Sequence, residues 1–156
     1  MQVPLFKTTA GEPELEAVRK VFKSGWLGKG PRVAELEGRY SDLTAGHAVA
    51  VNSCTAALEL AYRAFGVCGG DVIVPTWTFC STAHAAVFAG AHPVFADIDS
   101  QTLCATVDTI APLITDRTAA IAWVAMAGNT KHLFDVACLA KEHGIPLVID
   151  AAHCPA

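Results

Sequence analysis

The chain has 156 residues, of which 53% are hydrophobic and 17% are charged. This composition excludes a disordered chain, and the length favours one domain with a large core or a large subunit interface. The formal net charge of −4 gives no general attraction to nucleic acid or to an anionic membrane surface, so an anion would have to be held by locally placed groups.

The first part of the chain is expected to form two helices joined by a glycine-rich loop. Apolar residues at helical spacing after Pro13 predict a helix over roughly residues 12–23, which ends at Ser24 and Gly25. Residues 25–31, GWLGKGP, hold three glycines and one proline and predict a loop whose backbone can approach a ligand closely. A second helix is expected over about residues 32–44.

From residue 47 onward, short apolar runs alternate with helical segments. Continuous apolar runs are typical of strands buried on both faces, and their alternation with helices predicts a parallel sheet with right-handed crossovers. The expected fold class is therefore α/β, with a mainly parallel sheet and flanking helices. Five runs are predicted to be strands: 48–51, 71–75, 93–98, 118–127 and 145–150.

Ligands of such a sheet bind beyond the carboxyl ends of its strands. Ser53, Cys54 and Thr55 lie between the first run and a helix, where hydroxyls and free N–H groups suit a phosphate or a carboxylate. The alternative is that Ser53 or Thr55 only caps the helix. Neither GxGxxG nor GxxxxGK[ST] occurs, so dinucleotide and P-loop chemistry are not indicated.

Three further groups lie at this predicted edge. Trp77 and Phe79 follow the second run and could cover a flat ring, or pack on the core instead. Asp150 closes the last run, where a carboxylate is costly unless a cation or several donors meet it; capping of the next turn is the alternative. His153 follows, and taken alone would more often be structural. The turn at residues 127–130 brings a glycine to the same edge.

Four strings are more specific together than apart: GWLGKGPRVAELE, VAVNSCTAALELA, DVIVPTWTFCSTAHAAVFAGAHPVFADID and VIDAAH. In this order they resemble the DegT/DnrJ/EryC1/StrS family of sugar aminotransferases, which are pyridoxal-phosphate enzymes of the fold-type I class. The resemblance covers essentially the whole chain. It implies an incomplete fold-type I large domain, with residues 1–45 as a helical segment carrying a substrate-side loop, residues 46–156 as the cofactor-binding core, and the C-terminal part absent.

The resemblance also implies roles for individual residues. The turn of Ser53, Cys54 and Thr55 would hold the phosphate of pyridoxal phosphate, with Cys54 standing where glycine or another small residue is usual. Phe79 would stack on the pyridine ring, with Trp77 as a neighbouring candidate, and Asp150 would pair with the protonated ring nitrogen. His153, near the cofactor's 3-hydroxyl, is the candidate catalytic residue. The nucleotide-sugar side of the pocket would be lined by Trp26, Leu27, Gly30 and Pro31.

The activity implied is amino transfer from an amino acid, expected to be glutamate, to a nucleotide-linked keto sugar, within a homodimer. The product would be an amino sugar for a surface polysaccharide or a secondary metabolite. The family's Schiff-base lysine lies downstream of VIDAAH, whereas this chain ends at Ala156, so the polypeptide as given is expected to be inactive alone. The alternatives are a sugar dehydratase of the same family, with histidine in place of the lysine, and a catalytically inactive remnant or binding module.

The remaining patterns concern location and metals. The six cysteines show no CxxC pair and read as reduced thiols of a cytoplasmic protein. The N-terminus is acidic where a signal peptide would be apolar, and no run approaches the roughly 20 apolar residues of a membrane span. No pair of His and Cys residues has zinc-ligand spacing, so no metal is expected.

Overall fold

The computed structural model describes residues 9–154, which belong to two compact units divided between Ala50 and Val51. In the first unit, α1 spans Glu12–Ser24 and α2 spans Pro31–Thr44, so both predicted helices are confirmed. Proline stands in the first turn of each helix, where its missing N–H is not needed. Gly25 ends α1 with a φ of 70°. Neither helix contains a buried residue.

The prediction of a strand over residues 48–51 is wrong. The backbone N–H of Ala48 donates to Ser41 Oγ at 3.0 Å, and that of Ala50 donates to Glu37 Oε1 at 3.0 Å. Within residues 9–154, the sheet contains no strand from this run. An apolar run becomes a strand only when a neighbour pairs with its backbone, and side chains of α2 have taken these two amides instead.

The second unit is an α/β sheet structure, as predicted. Its four strands are all parallel and lie in the order β2-β1-β3-β4, so four of the five predicted strands are confirmed. The elements are α3 (Cys54–Ala64), β1 (Asp71–Pro75), α4 (Ser81–Phe88), β2 (His92–Ala96), α5 (Val107–Ile110), β3 (Thr118–Val124), α6 (Leu133–Glu142) and β4 (Leu147–Asp150). Single 3-10 turns follow α5 at Ala111–Leu113 and β3 at Met126–Gly128.

The core lies on both faces of this sheet. Successive strand residues point to opposite faces, so Val72 and Val74 pack with α3 and α4, whereas Ile73 packs with α5 and α6. Trp123 is fully buried on the second face, where its indole N–H donates to Ala105 O at 2.9 Å. This two-sided burial explains why the strands read as continuous apolar runs.

Parallel pairing brings the carboxyl ends of all four strands to one edge of the sheet. Pro75 is in register with Ala96, and Val124 is in register with Asp150. The helices turn back towards the opposite edge, and positive-φ glycines lie between each of three helices and the next strand, at Gly66, Gly90 and Gly144. No helix within residues 9–154 is long and apolar enough to cross a membrane.

Candidate functional site

Asp150 is a buried carboxylate at the carboxyl end of β4, with 6% of its surface exposed. Its Oδ2 accepts a hydrogen bond from Thr82 Oγ1 at 2.9 Å. Its Oδ1 accepts from the backbone N–H of Ala152 at 3.2 Å and from the thiol of Cys54 at 3.6 Å. No Lys, Arg or His within residues 9–154 forms an ion pair with it. Several neutral donors, and no cation of this part of the chain, therefore compensate its burial.

Cys54 meets Asp150 as a protonated thiol. Burial raises the pKa of the Cys54 thiol, and the negative charge of Asp150 and the hydrogen bond to it raise that pKa further. A thiol with a raised pKa donates a hydrogen bond but is a poor nucleophile. The geometry therefore favours a hydrogen-bonding role for Cys54 over a nucleophilic one.

Tyr62 supports the site from the core. It is fully buried, and its hydroxyl donates to the backbone carbonyl of Thr82 at 3.2 Å. Burial raises the pKa of the Tyr62 phenol well above its usual range, and the negative charge of Asp150 raises it further. The phenol consequently stays protonated and can keep donating to the first turn of α4.

The start of α3 lies beside this carboxylate. Ser53 Oγ accepts from the backbone N–H of Ala56 at 3.2 Å. Ser53 therefore caps the helix, which is the capping role that the sequence offered as an alternative to anion binding. Thr55 does not cap: its Oγ1 lies 2.8 Å from Ser81 Oγ at the start of α4. The backbone amides of Cys54 and Thr55 make no hydrogen bond within the described part of the chain. They are free donors at the positive end of a helix.

Trp77 and Phe79 lie in the aromatic loop, defined here as residues 76–80, which joins β1 to α4. Their exposed fractions are 55% and 76%, so neither packs into the core. The aromatic side chains are thus presented at the sheet edge where Asp150 and the start of α3 lie. Large exposed aromatics at such an edge are suited to covering a flat ligand.

His153 is exposed on the turn after β4, and its Nδ1 accepts from the backbone N–H of Ala127 at 3.1 Å. A neutral imidazole that accepts at Nδ1 carries its proton on Nε2. The bond joins the turn after β4 to the 3-10 turn after β3, and so brings together two places that the sequence analysis treated separately. Among residues 9–154, no three His, Cys, Asp or Glu side chains are placed to hold a metal ion.

The glycine-rich loop belongs to the first unit. Its predicted substrate residues line a groove of about 540 Å³: Trp26, Leu27, Gly30 and Pro31. The indole N–H of Trp26 donates to the backbone carbonyl of Lys29 at 2.9 Å, and a Cβ added at Gly30 would lie 1.8 Å from Trp26 Cδ1. Lys29 forms an exposed ion pair with Glu37 at 3.0 Å. The loop therefore needs glycine at position 30 to accommodate the indole.

Sequence reasoning missed the polar residues that surround Asp150. Ser81 and Thr82 are buried at the start of α4, and Tyr62 is buried in α3. One pattern could have pointed to Ser81 and Thr82, because these two hydroxyl residues open the largely apolar helix STAHAAVF that follows β1 after the aromatic loop. That Thr82 meets Asp150 could not be predicted from the sequence, because the two residues are 68 positions apart.

Known proteins resemble this chain over most of its length. Residues 8–155 match the sequence profile of the DegT/DnrJ/EryC1/StrS aminotransferase family. A spore coat polysaccharide biosynthesis protein, SpsC of Bacillus subtilis (strain 168), is 43% identical over 145 residues, which are 92% of this chain and 37% of SpsC.

The fold is similar to that of solved aminotransferase structures. The aminotransferase TlmJ from Streptoalloteichus hindustanus is 39% identical with a TM-score of 0.89, over 97% of this chain and 42% of TlmJ. Spr1654 from Streptococcus pneumoniae, a protein described as a sugar aminotransferase and solved in its PMP form, is 35% identical with a TM-score of 0.77, over 87% of this chain and 36% of its own. The chain thus spans about two fifths of the length of these proteins.

Proposed function

The chain belongs to the DegT/DnrJ/EryC1/StrS aminotransferase family, and from this premise we propose that it binds pyridoxal phosphate at the carboxyl edge of its sheet and serves amino transfer to a nucleotide-linked keto sugar. The amino donor is an amino acid, glutamate in our proposal, and the working protein is a homodimer. The amino sugar produced would enter a surface polysaccharide or a secondary metabolite.

One observation supports this proposal more than any other. A buried carboxylate that lacks a cationic partner among residues 9–154 lies directly beside a helix N-terminus with free amides, since Cys54 Sγ is 3.6 Å from Asp150 Oδ1. A protonated pyridine nitrogen would supply the missing cation, and a phosphate would supply the missing acceptor. Pyridoxal phosphate carries both groups, so the donor and acceptor set fits this cofactor.

Each residue of the site would bind a different part of the cofactor. Asp150 would hold the ring nitrogen in its protonated form, while the amides of Cys54 and Thr55 would bind the phosphate. Phe79 and Trp77 would cover the ring, and His153 would donate a hydrogen bond from Nε2 to the cofactor's 3-hydroxyl oxygen. When bound, the cofactor supplies an electron sink for the loss of a proton from the substrate carbon.

Two observations support a sugar substrate: the composition of the glycine-rich loop and the names of the relatives. SpsC is named as a protein of spore coat polysaccharide biosynthesis, and Spr1654 is described as a sugar aminotransferase. By analogy, the groove lined by Trp26, Leu27, Gly30 and Pro31 would take the nucleotide-sugar side of the substrate. Aromatic and apolar surface of this kind suits a nucleoside base or a sugar face.

Cofactor binding is the first test. The purified protein is titrated with pyridoxal phosphate in equilibrium dialysis, and the visible spectrum of the complex is recorded before and after borohydride treatment. Pyridoxal, which lacks the phosphate, is the matched control ligand. We expect saturable retention that is weaker for pyridoxal, because the α3 amides have no phosphate to bind. No saturable retention would remove the proposal. A stable reduced adduct at one native lysine would contradict the expectation that this chain holds no Schiff-base lysine.

A further inference from the structure

Behind Asp150 lies a pair of threonine hydroxyls to which neither the family resemblance nor the comparisons assign a role. We propose that Thr78 and Thr82 form a hydroxyl relay that orients the Asp150 carboxylate and couples it to the aromatic loop. The two threonines are positioning residues, since they act through Asp150. The inference rests on the proposed function, because the orientation matters for the group that Asp150 would hold.

The direction of the relay follows from hydrogen-bond chemistry. An ionised carboxylate can only accept, so Thr82 Oγ1 donates its one proton to Asp150 Oδ2 across 2.9 Å. Thr78 Oγ1 lies 2.8 Å from Thr82 Oγ1, and either oxygen could donate if the pair stood alone. Because Thr82 has already committed its proton, Thr78 must donate to Thr82.

Burial protects this hydrogen bond from water. Thr82 is 0% exposed, so water does not compete for its hydroxyl or replace it. Charge-assisted hydrogen bonds at such sites are stronger than neutral ones, and they polarise the hydroxyl behind them. Asp150 Oδ1 is held separately by Cys54 and Ala152, so donors on both oxygens define the plane of the carboxylate.

Simple helix capping does not account for the pair. The residue at the N-cap position of α4 is Cys80, and its side chain makes no capping hydrogen bond. Both threonine hydroxyls point to side-chain oxygens, while the backbone N–H of Thr82 donates to Phe79 O at 3.2 Å. The relay is therefore directed at Asp150 and not at the helix end.

The relay also links the two parts of the site. Thr78 stands between Trp77 and Phe79, so its hydrogen bond fixes the backbone of the aromatic loop relative to the carboxylate. On the other side of Thr82, Tyr62 holds the Thr82 backbone carbonyl and Ser81 holds Thr55 at the start of α3. The first turn of α4 thus joins the three elements that would contact the ring nitrogen, the ring face and the phosphate.

The test is a double-mutant cycle in the purified protein with pyridoxal phosphate as the probe. Thr82→Val keeps the shape of the side chain and removes the donor, and we expect it to weaken cofactor affinity by about tenfold. Thr82→Ser restores the donor and should restore most of the affinity. The cycle combines this change with Asp150→Asn. The fold loss of affinity in the double variant should be much smaller than the product of the two single losses, because Thr82 acts through Asp150.

A control is available at a second Thr–Asp pair. Thr102 is buried and its Oγ1 donates to the half-buried Asp99 Oδ1, also at 2.9 Å, and this pair shares no hydrogen-bond partner with Asp150. Thr102→Val should lower the unfolding midpoint without changing cofactor affinity. If Thr82→Val behaves in the same way, the positioning role is wrong and the hydroxyl is only structural.

Thr78→Val tests the direction of the relay. It should weaken cofactor affinity when Thr82 is present and have no further effect in the Thr82→Val background. Additive effects would overturn the relay. If the wild-type protein retains no pyridoxal phosphate, the proposed function fails; the same cycle of Thr82→Val and Asp150→Asn, measured by denaturant unfolding, then decides the inference alone, and an absence of coupling overturns it.

Discussion

Asp150 shows how one residue can stand apart from an otherwise apolar core. It ends β4 and is only 6% exposed, and most residues buried to this degree are apolar. Its three donors are a hydroxyl, a thiol and a backbone amide, none of them charged. A buried carboxylate with only neutral donors retains a strong preference for a cationic ligand.

Replacing Asp150 by Asn tests that preference. The amide is nearly isosteric but lacks the negative charge, so we expect pyridoxal phosphate to bind about 10- to 100-fold more weakly, the range for loss of a charge-assisted hydrogen bond. Affinity is measured by equilibrium dialysis. Asp116→Asn, an exposed change at the opposite edge of the sheet, is the control and should bind as the wild type does. Equal affinity in Asp150→Asn would remove the role of the carboxylate in holding the ring nitrogen.

Gly30 offers a second test at the residue scale. In Gly30→Ala the new methyl group would overlap the Trp26 indole, since Cβ would lie 1.8 Å from Cδ1, and the indole must leave its bond to Lys29 O. We expect the Trp26 indole N–H resonance to shift or broaden in a nitrogen-proton correlation spectrum. A Cβ at Gly28 meets nothing within 4 Å, so Gly28→Ala should leave that resonance in place. An unchanged resonance in Gly30→Ala would show that the indole does not pack on this glycine.

At the scale of elements, α4 matters more than its eight residues suggest. Its interior is apolar and packs on β1, whereas its first turn is polar and buried. Polar groups are tolerated there because each has a partner on another element: Ser81 on α3, and Thr82 on the aromatic loop and β4. The helix thereby locks α3 to the end of β4, and the site depends on its placement.

Tyr62→Phe should weaken that lock. The substitution removes the hydrogen bond to Thr82 O while keeping the buried ring, so we expect a loss of about 1 kcal/mol in the free energy of unfolding. Urea unfolding at neutral pH measures it. No change in stability would mean that the tyrosine contributes only its ring.

The same variant carries a pH signature. Because the pKa of Tyr62 is higher in the folded protein than its ordinary value of about 10 in the unfolded chain, the folded state holds the proton more tightly. Its contribution is complete below about pH 10 and is lost as the pH rises above that value. Urea unfolding is measured between about pH 8 and about pH 11, a range in which an ordinary tyrosine titrates. The free energy of unfolding should fall more steeply with rising pH in the wild type than in Tyr62→Phe. Parallel curves would contradict the raised pKa.

At the scale of the whole molecule, apolar exposure is the dominant feature. Side chains more than half exposed occur on α1 (Phe22), α3 (Leu60), α4 (Phe88) and β2 (Phe95), and Phe65 follows α3. In the described sheet, β2 and β4 each have one neighbour, so each leaves an open edge. Exposed apolar surface and open edges of this kind favour association.

We therefore expect the purified chain to self-associate as its concentration rises, as judged by sedimentation velocity. Phe65 follows α3 and Phe88 ends α4, and these two helix ends are joined by a hydrogen bond from Arg63 to Phe88 O. The double variant Phe65→Glu/Phe88→Glu should associate less. Gln101→Glu/Thr130→Glu, which places the same charges on exposed polar positions, is the control. Equal association in the two variants would show that charge alone is responsible and that this apolar patch is not.

Much of the architecture was available from the linear pattern. The alternation of apolar runs with helical segments predicted the parallel sheet, and parallel pairing brought Asp150, the start of α3 and the aromatic loop to one edge, as expected. Local physics suffices there, because burial on both faces leaves a continuous apolar run and helix ends leave glycine and proline in known places.

The tertiary structure decided what depends on contacts distant in sequence. The run at 48–51 is apolar like the others, yet it is no strand in residues 9–154, because strand formation needs a hydrogen-bonding neighbour that no single run can specify. Likewise, the residue type of Thr82 said nothing about Asp150, 68 positions away. By itself, then, the sequence determined most of the elements, the parallel sheet and the edge at which the chemistry-bearing residues meet, since these follow from local periodicity. The partners of each polar side chain followed only from packing the elements together.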